Sequence, residues 1–197
     1  MFSQATVVPR NIRAFWEVYE WRHASVVLAN AFPDEWEDIL GIMTTFKLSK
    51  EDVFDPGKNK SSVSSRIDKA LYERGWKEKK FDTQIMVDGK THPSPTHSID
   101  CFKSRIGLEI EWNNKDPFFD RDLNNFRLLH ELDVLSVGVI ITRSTEILEI
   151  FRALGRGKSS GASTTHMSKL LPKIEGGGAG GCPVLVLGIT KKLYQGD

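Results

Sequence analysis

Apolar residues in the first third of the chain recur at the spacing of one helical face. Over residues 11–31 this pattern predicts a first helix. A second helix is predicted to start at Pro33, because proline suits the first turn of a helix. A third is predicted over 61–75, where Gly75 provides a suitable carboxyl-terminal cap. The amino-terminal part, residues 1–80, is therefore expected to be mainly helical.

Short strands and helices alternate over the rest of the chain. A β-branched run, 134–142, is typical of a strand buried on both faces. Residues 155–181 are rich in Gly, Ser, Thr and Lys, and are expected to form a long flexible loop that is either functional or disordered. The apolar face of a helix at 118–131 fits either the core or a dimer contact. The other predicted strands are 82–87, 98–102, 107–112 and 183–189, and a further helix covers 144–154.

This order of elements predicts an α/β fold with a central mixed β-sheet flanked by helices. At 197 residues the chain fits a single domain. Its parts would be the helical region 1–80, a sheet core (81–154 and 182–192) and the flexible loop 155–181. No apolar run reaches the ~20 residues that span a bilayer. The amino terminus lacks a signal-peptide pattern, so a cytoplasmic protein without membrane contact is expected.

Charge is distributed unevenly along the chain, although the net charge is only +1. Residues 58–80 carry eight basic and three acidic side chains, and residues 152–173 carry five basic and no acidic ones. Residues 100–133 carry five basic and eight acidic side chains. Local positive charge favours binding to nucleic-acid phosphates, and an acidic patch between basic flanks suits a metal site on DNA. Solvated charged faces are the alternative.

Three carboxylates fall close together in the segment 98–112. In a strand, residues i and i+2 share a face, so Glu109 and Glu111 project together while their apolar neighbours face the core. If the two short strands pair as a hairpin, Asp100 lies beside Glu109. Neighbouring carboxylates repel one another and are retained mainly to hold a hard cation such as Mg²⁺.

This pattern predicts a metal site in which Asp100, Glu109 and the carbonyl group of Ile110 bind Mg²⁺, for which Mn²⁺ can substitute. The metal would bind a phosphate and lower the pKa of a water molecule. Glu111 would orient or deprotonate that water. The alternative is an exposed hairpin whose outward face happens to be acidic, because the spacing of the acids alone is weakly specific.

Larger stretches of the chain carry a resemblance to a known family. They are FWEVYEWRHASVVLANAFPDEWEDIL, VFDPGKNKSSVSSRIDKALYERGWKEKK, SID with GLEIEWNNKDPFF, LHELDVLSVGVIITR and PVLVLGI, in this order. Together they resemble the BglII/BstYI group of type II restriction endonucleases, which are relatives of BamHI in the PD-(D/E)XK nuclease superfamily. The resemblance implies a restriction-endonuclease-like fold. It also implies a homodimer that cuts double-stranded DNA at a short palindrome with GATC at its centre, leaving 5′ overhangs.

The resemblance also assigns roles to the three acids. Asp100 and Glu109 match the metal-binding acids of the family. Glu111 stands where BglII and BstYI have Gln, where BamHI has Glu and where many superfamily members have Lys. This departure leaves the identity of the general base open.

Contacts to DNA are expected from three segments. Asn113, Asn114 and Lys115 follow the strand that carries the acids, and Asn114 resembles a residue with which the family contacts recognition bases; asparagine can bind adenine in the major groove. The alternative is an Asn-rich turn.

Polar residues of the long loop can bind base edges or phosphates, and basic residues near a helix start can bind phosphates. A disordered surface loop and a solvated helix face are the alternatives there. The loop candidates are Ser163, Thr164, Thr165, His166, Ser168 and Lys169, and the basic candidates are Lys58 and Lys60.

Three other functions remain open at this stage. A structure- or damage-directed repair nuclease of the same superfamily would share the acids but lack sequence specificity. A non-catalytic DNA-binding protein would bind specific sites without cutting in Mg²⁺ or Mn²⁺. A structural metal-binding domain would have no salt-dependent affinity for DNA.

Overall fold

The structure, a computed structural model, describes residues 2–3, 5–55, 60–93, 96–156 and 164–196. Helices and strands alternate along the chain. Its helices and strands are α1 (Arg10–Arg13), β1 (Trp16–Trp21), α2 (Ala24–Ala31), α3 (Pro33–Thr45), β2 (Leu48–Ser49), α4 (Lys50–Phe54), α5 (Ser62–Tyr72), β3 (Lys77–Lys79), β4 (Gln84–Val87), β5 (Lys90–Pro93), β6 (Ile99–Lys103), β7 (Ile106–Glu111), α6 (Pro117–Glu131), β8 (Val137–Arg143), α7 (Leu148–Ala153), α8 (Met167–Glu175), β9 (Val184–Ile189) and β10 (Tyr194–Gln195).

A six-stranded mixed sheet forms the centre of the fold, with strand order β1-β9-β8-β7-β6-β3. Strands β7, β8 and β9 run parallel to one another, and the remaining neighbours pair antiparallel. Every residue of the three parallel strands is buried, as expected where helices cover both faces. The predicted α/β fold is therefore confirmed, and so are the strands expected at 107–112, 134–142 and 183–189.

The two faces of the sheet enter separate apolar clusters. In β8, Val139 and Ile141 join the cluster that α2, α3 and α5 cover, and Ile140 joins the one that α6 and α8 cover. This alternation follows from the two-residue period of a strand. Helix α6 lies close to the sheet, because Gly138 has no Cβ atom. A Cβ atom at this position would occupy the space that the ring of Phe126 fills. The apolar face of α6 is thus part of the core.

The helix expected over 11–31 is wrong in its first half. Trp16–Trp21 is a strand that pairs antiparallel with β9, and only Ala24–Ala31 forms a longer helix. Aromatic and β-branched residues dominate this strand, which suits a pleated surface with partners on both faces. Arg22 and His23 then adopt positive φ angles of 53° and 56°, which end the strand before α2 begins.

The flexible loop expected over 155–181 is also wrong in its second half. Residues Met167–Glu175 form α8, whose Leu170 and Ile174 are fully buried against the sheet. The glycine-rich stretch that follows turns the chain towards β9. Gly177 and Gly180 have φ angles of 91° and 56°, a conformation that side-chain-bearing residues rarely adopt. The Gly-, Ser- and Thr-rich composition of the segment suggested a loop, although its buried residues have helical spacing.

The strand expected at 82–87 is present as β4, but it lies outside the central sheet. It pairs with β5 in a separate hairpin whose side chains are exposed, with Asp88 and Gly89 in the turn. In the part of the chain that the structure describes, every helix is too short or too polar to cross a membrane.

Candidate active site

The β6–β7 hairpin brings two carboxylates together. The register pairs Cys101 with Leu108, which places Asp100 alongside Glu109. The amide group of Asp100 donates to Glu109 Oε2 over 3.2 Å, and the amide group of Ile110 donates to Asp100 Oδ2 over 3.2 Å. Each side chain is therefore oriented by the backbone of the opposite strand, as the sequence pattern predicted.

The face of β7 that carries Glu109 and Glu111 is not exposed. Leu108 and Ile110 enter the first apolar cluster as predicted, but the two glutamates point towards α6 and are only 1% and 2% exposed. The alternative of an exposed hairpin with an outward acidic face is therefore excluded, because α6 packs over the strand. The carboxylates lie in an environment of low polarity, where charge is costly.

A fourth carboxylate comes from α6. Asp122 is fully buried, shares a hydrogen bond with Glu111 and accepts one from Arg121 Nη2 over 2.8 Å. Asp122 is not among the site residues that the sequence pattern predicts. A signal was available, because Asp122 lies three positions after Phe119 and four before Phe126, on the apolar stripe of a helix. A charged residue on such a stripe is buried and needs a partner.

Burial raises the pKa values of all three enclosed acids, Glu109, Glu111 and Asp122. The negative charge of Asp122 raises the pKa values of both glutamates further. Arg121 offsets part of this effect, because its guanidinium lies 3.6 Å from Glu111 Oε1. Without another cation, the two glutamates are therefore harder to ionise than free carboxyl groups.

The acids and their neighbours border a cavity of about 290 Å³ between β7, α5 and α6. Basic and polar side chains line it as well, so it can accept a negatively charged group such as a phosphate. Its walls are formed by Lys60, Ser61, Ser64, His97, Asp100, Ile110, Glu111, Asn113, Asn114, Phe118 and Arg121.

The donors that the sequence proposed for Mg²⁺ fit such an ion. Among the described residues, no three His, Cys, Asp or Glu side chains converge closely enough to hold a metal by themselves. Mg²⁺, however, is usually held by one or two carboxylates and completed by water and substrate oxygens. Asp100 and Ile110 line the cavity, and Glu109 Oε1 is buried with no hydrogen-bond partner among the described residues. An unpaired buried carboxylate oxygen is what a missing cation would leave.

The segment after β7 contacts the acids directly. Asn113 and Asn114 line the cavity, and Asn114 Nδ2 donates to Glu111 Oε2 over 2.7 Å. Lys115 forms an isolated antiparallel bridge with Thr164. The structure thus brings together two segments that are far apart in sequence and that were both expected to contact DNA.

The second of these segments is less exposed than expected. Thr165 is fully buried, and its amide group donates to the carbonyl group of Asn114 over 2.9 Å. His166 is 9% exposed, with Nδ1 2.9 Å from the hydroxyl group of Ser168. Lys169 forms an ion pair with Asp116, and Ser163 lies outside the described residues. Burial leaves Thr164, Ser168 and Lys169 as the more accessible members.

Lys60 lies on the opposite wall of the cavity. Its ammonium group pairs with Asp68, which is 3% exposed and also accepts from Cys101 Sγ over 3.4 Å. Lys58 lies outside the described residues. His97 also lines the cavity, and burial lowers its pKa. No pattern in the sequence indicates that His97 lies here, because the path of its loop depends on the tertiary structure.

A six-stranded mixed sheet with two opposed carboxylates at its central hairpin is the arrangement of a restriction-endonuclease-like nuclease. A family model described as "Restriction endonuclease BglII/BglIII" matches residues 16–189. The match covers most of the chain, which therefore belongs to the BglII/BglIII restriction endonuclease family. The chain is accordingly a nuclease that binds DNA and hydrolyses it. A comparison with curated proteins found no matching sequence.

Proposed function

We propose that this chain is a type II restriction endonuclease that makes Mg²⁺-dependent double-strand cuts at a short palindromic site. The observation that carries the proposal is the pairing of Asp100 with Glu109. Each is oriented by the other's strand, and Glu109 Oε1 has no hydrogen-bond partner in the described part of the chain. This pair adjoins a cavity lined by Lys60 and Arg121.

In this proposal Asp100, Glu109 and the Ile110 carbonyl group hold Mg²⁺, or Mn²⁺ in its place. When bound, the metal would supply a water molecule of lowered pKa and neutralise charge on the scissile phosphate. Glu111 orients that water or takes its proton, and its hydrogen bond to Asp122 offers a buried route for sharing the proton. The water oxygen bonds to phosphorus, the bond to the leaving oxygen breaks, and that oxygen takes up a proton from solvent water.

The residues that surround the acids are proposed to hold the DNA. Lys60 contacts a backbone phosphate from the cavity wall, and Asn114 reads a base edge at the end of β7. The proposal rests on their place along the cavity beside the acids. Further DNA contacts are proposed for Asn113, Lys115, Lys58, Ser163, Thr164, Ser168 and Lys169. The burial of Thr165 and His166 argues against the direct contacts that the sequence predicted for them.

We further propose a homodimer that cuts one strand per subunit, with GATC at the centre of the site. Two-fold symmetry of the protein matches two-fold symmetry of a palindrome. Family membership supports this assignment.

The test is digestion of an unmethylated plasmid of known sequence by the purified protein in Mg²⁺, followed by sequencing of the fragment ends. Discrete fragments whose ends share a palindrome are expected. Nicks or a smear would favour a structure- or damage-directed nuclease, and specific binding without cutting in Mg²⁺ or Mn²⁺ would favour a binding protein. Asp100→Asn serves as the inactive control. Glu20→Gln, which alters a buried acid on β1 far along the sheet, serves as the active one.

A further inference from the structure

Arg143, the last residue of β8, is a buried cation without an acidic partner among the described residues. It is fully buried, and no carboxylate of the described residues forms an ion pair with it. Its guanidinium lies 5.9 Å from the ring centre of Trp112 and 5.6 Å from that of Phe151. Burying a charge without a counter-charge is unfavourable for stability. The presence of a buried arginine at this position therefore needs an explanation other than a contribution to stability.

Arg143 directs two of its donors at one acceptor. Nε and Nη2 lie 3.0 Å and 2.8 Å from the carbonyl oxygen of Thr165. Nη1 is buried and has no hydrogen-bond partner among the described residues. Two donors in the plane of a guanidinium fix both the position and the direction of the carbonyl group they hold. The side chain therefore fixes the backbone just before α8.

Thr165 in turn holds the end of β7. Its amide group donates to the carbonyl group of Asn114 over 2.9 Å, and its hydroxyl group donates to that of Glu111 over 3.3 Å. Thr142 donates to the same Glu111 carbonyl oxygen over 2.8 Å. Because Asn114 also bonds the carboxylate of Glu111, a shift of Thr165 would move both side chains.

We propose that Arg143 is a positioning residue, which holds the segment at Thr165 against the end of β7 and so aligns Glu111 and Asn114 for cleavage and for choice of site. It touches neither DNA nor the reacting atoms. The inference rests on the proposed function, because it assigns the alignment of the same site. It makes the segment after residue 163 a support for the catalytic strand as well as a candidate DNA contact.

The test compares Arg143→Met, which removes the donors, with Arg143→Lys, which keeps the charge and one donor. Single-turnover cleavage in Mg²⁺, DNA affinity in Ca²⁺ and discrimination between the site and one-base variants are measured. We expect Arg143→Met to lower the cleavage rate by at least about tenfold and to reduce discrimination, with affinity changed less than about threefold. Arg143→Lys should recover part of the rate.

Two further variants separate positioning from stability. Phe151→Leu loosens the same cluster without touching Thr165, and it should leave the rate and discrimination unchanged at temperatures where the variant is folded. Thr165→Val keeps the shape of the side chain and removes its bond to Glu111. We expect Thr165→Val to lower the cleavage rate, as Arg143→Met does. Thr165→Val therefore tests the proposal even if Arg143→Met does not fold.

The outcomes distinguish the two proposals. A wild-type protein that cuts no DNA would overturn the proposed function and this inference with it. Wild-type cleavage together with unchanged rates in Arg143→Lys and Thr165→Val would overturn the inference alone. The inference would also be overturned if Phe151→Leu lowered the cleavage rate and the discrimination as much as the Arg143 variants do.

Discussion

The side-chain amide of Asn114 donates to Glu111 Oε2 over 2.7 Å, so the residue proposed to read a base is bound to the acid proposed to handle the water. In the absence of DNA, the amide is therefore already committed to a partner. Reading a base requires the amide to leave the carboxylate or to share its second hydrogen. Under the proposed function, this one hydrogen bond would link site recognition to the state of Glu111.

Replacement of Asn114 by Ala should therefore reduce discrimination between the recognition site and sites that differ by one base. Loss of a bidentate base contact costs about 1–3 kcal/mol at the affected position. Cleavage rates on a matched set of oligonucleotide duplexes would measure the change. A uniform loss of affinity for all sequences would instead identify Asn114 as a phosphate contact.

Asp100→Asn and Glu109→Gln should each abolish cleavage and leave DNA binding intact. Both changes keep the size of the side chain but weaken its ability to hold a divalent cation. Cleavage assays in Mg²⁺ should be paired with gel-shift measurements on the same duplex. Retained cleavage in both variants would refute the assignment of these acids as metal ligands.

Calcium should support specific binding without cleavage. The oxygen donors of Asp100, Glu109 and Ile110 suit Ca²⁺ as well as Mg²⁺, but calcium activates bound water poorly. Binding and cleavage can be followed on one labelled duplex as Ca²⁺ is exchanged for Mg²⁺. Efficient cutting in calcium would count against the proposed mechanism.

Lys60→Gln should weaken binding to all DNA sequences alike and reduce the salt dependence of binding by about one phosphate contact. Glutamine can still donate to the buried Asp68, so the fold should be retained. Lys69→Gln, an exposed change on helix α5, which begins two residues after Lys60, is the matched control. Equal effects of the two variants would show that Lys60 contributes only general charge.

His166 should make the protein less stable in mild acid. Burial lowers its pKa below the 6.5 of a free histidine, with Lys169 and Arg143 contributing, so the unfolded chain takes up a proton before the folded one does. The free energy of unfolding should fall as pH drops through 6.5, and this loss should level off below the folded-state pKa. His166→Asn, which keeps a polar atom near Ser168, should lose less stability between pH 7.5 and 5.5 in urea unfolding. An equal loss in both proteins would contradict this expectation.

Local patterns predicted the centre of the fold well. The hairpin of β6 and β7, helix α6 and strands β8 and β9 lie close to where the periodicity placed them. These elements have strong two- or 3.6-residue repeats, because each is fixed by burial on defined faces. The reciprocal contacts of Asp100 and Glu109 follow from hairpin pairing alone, so the sequence also sufficed for their juxtaposition.

Predictions failed where local composition and tertiary context disagree. The aromatic residues of β1 occur at a spacing that also fits a helix, and only pairing with β9 makes the extended form favourable. Helix α8 lies beside a glycine-rich stretch whose composition suggested flexibility. Its buried Leu170 and Ile174 gain stability only because a sheet face is available to receive them.

The sequence by itself determined which strand carries the acids, which side chains share its face and to which family of nucleases the pattern points. The tertiary structure decided that this face is covered, that Asp122 joins it, and that Arg143 connects the segment at Thr165 to the end of β7. Side-chain periodicity within one element depends on backbone geometry and is readable locally. Packing between elements depends on where distant helices find apolar surface, which no local pattern specifies.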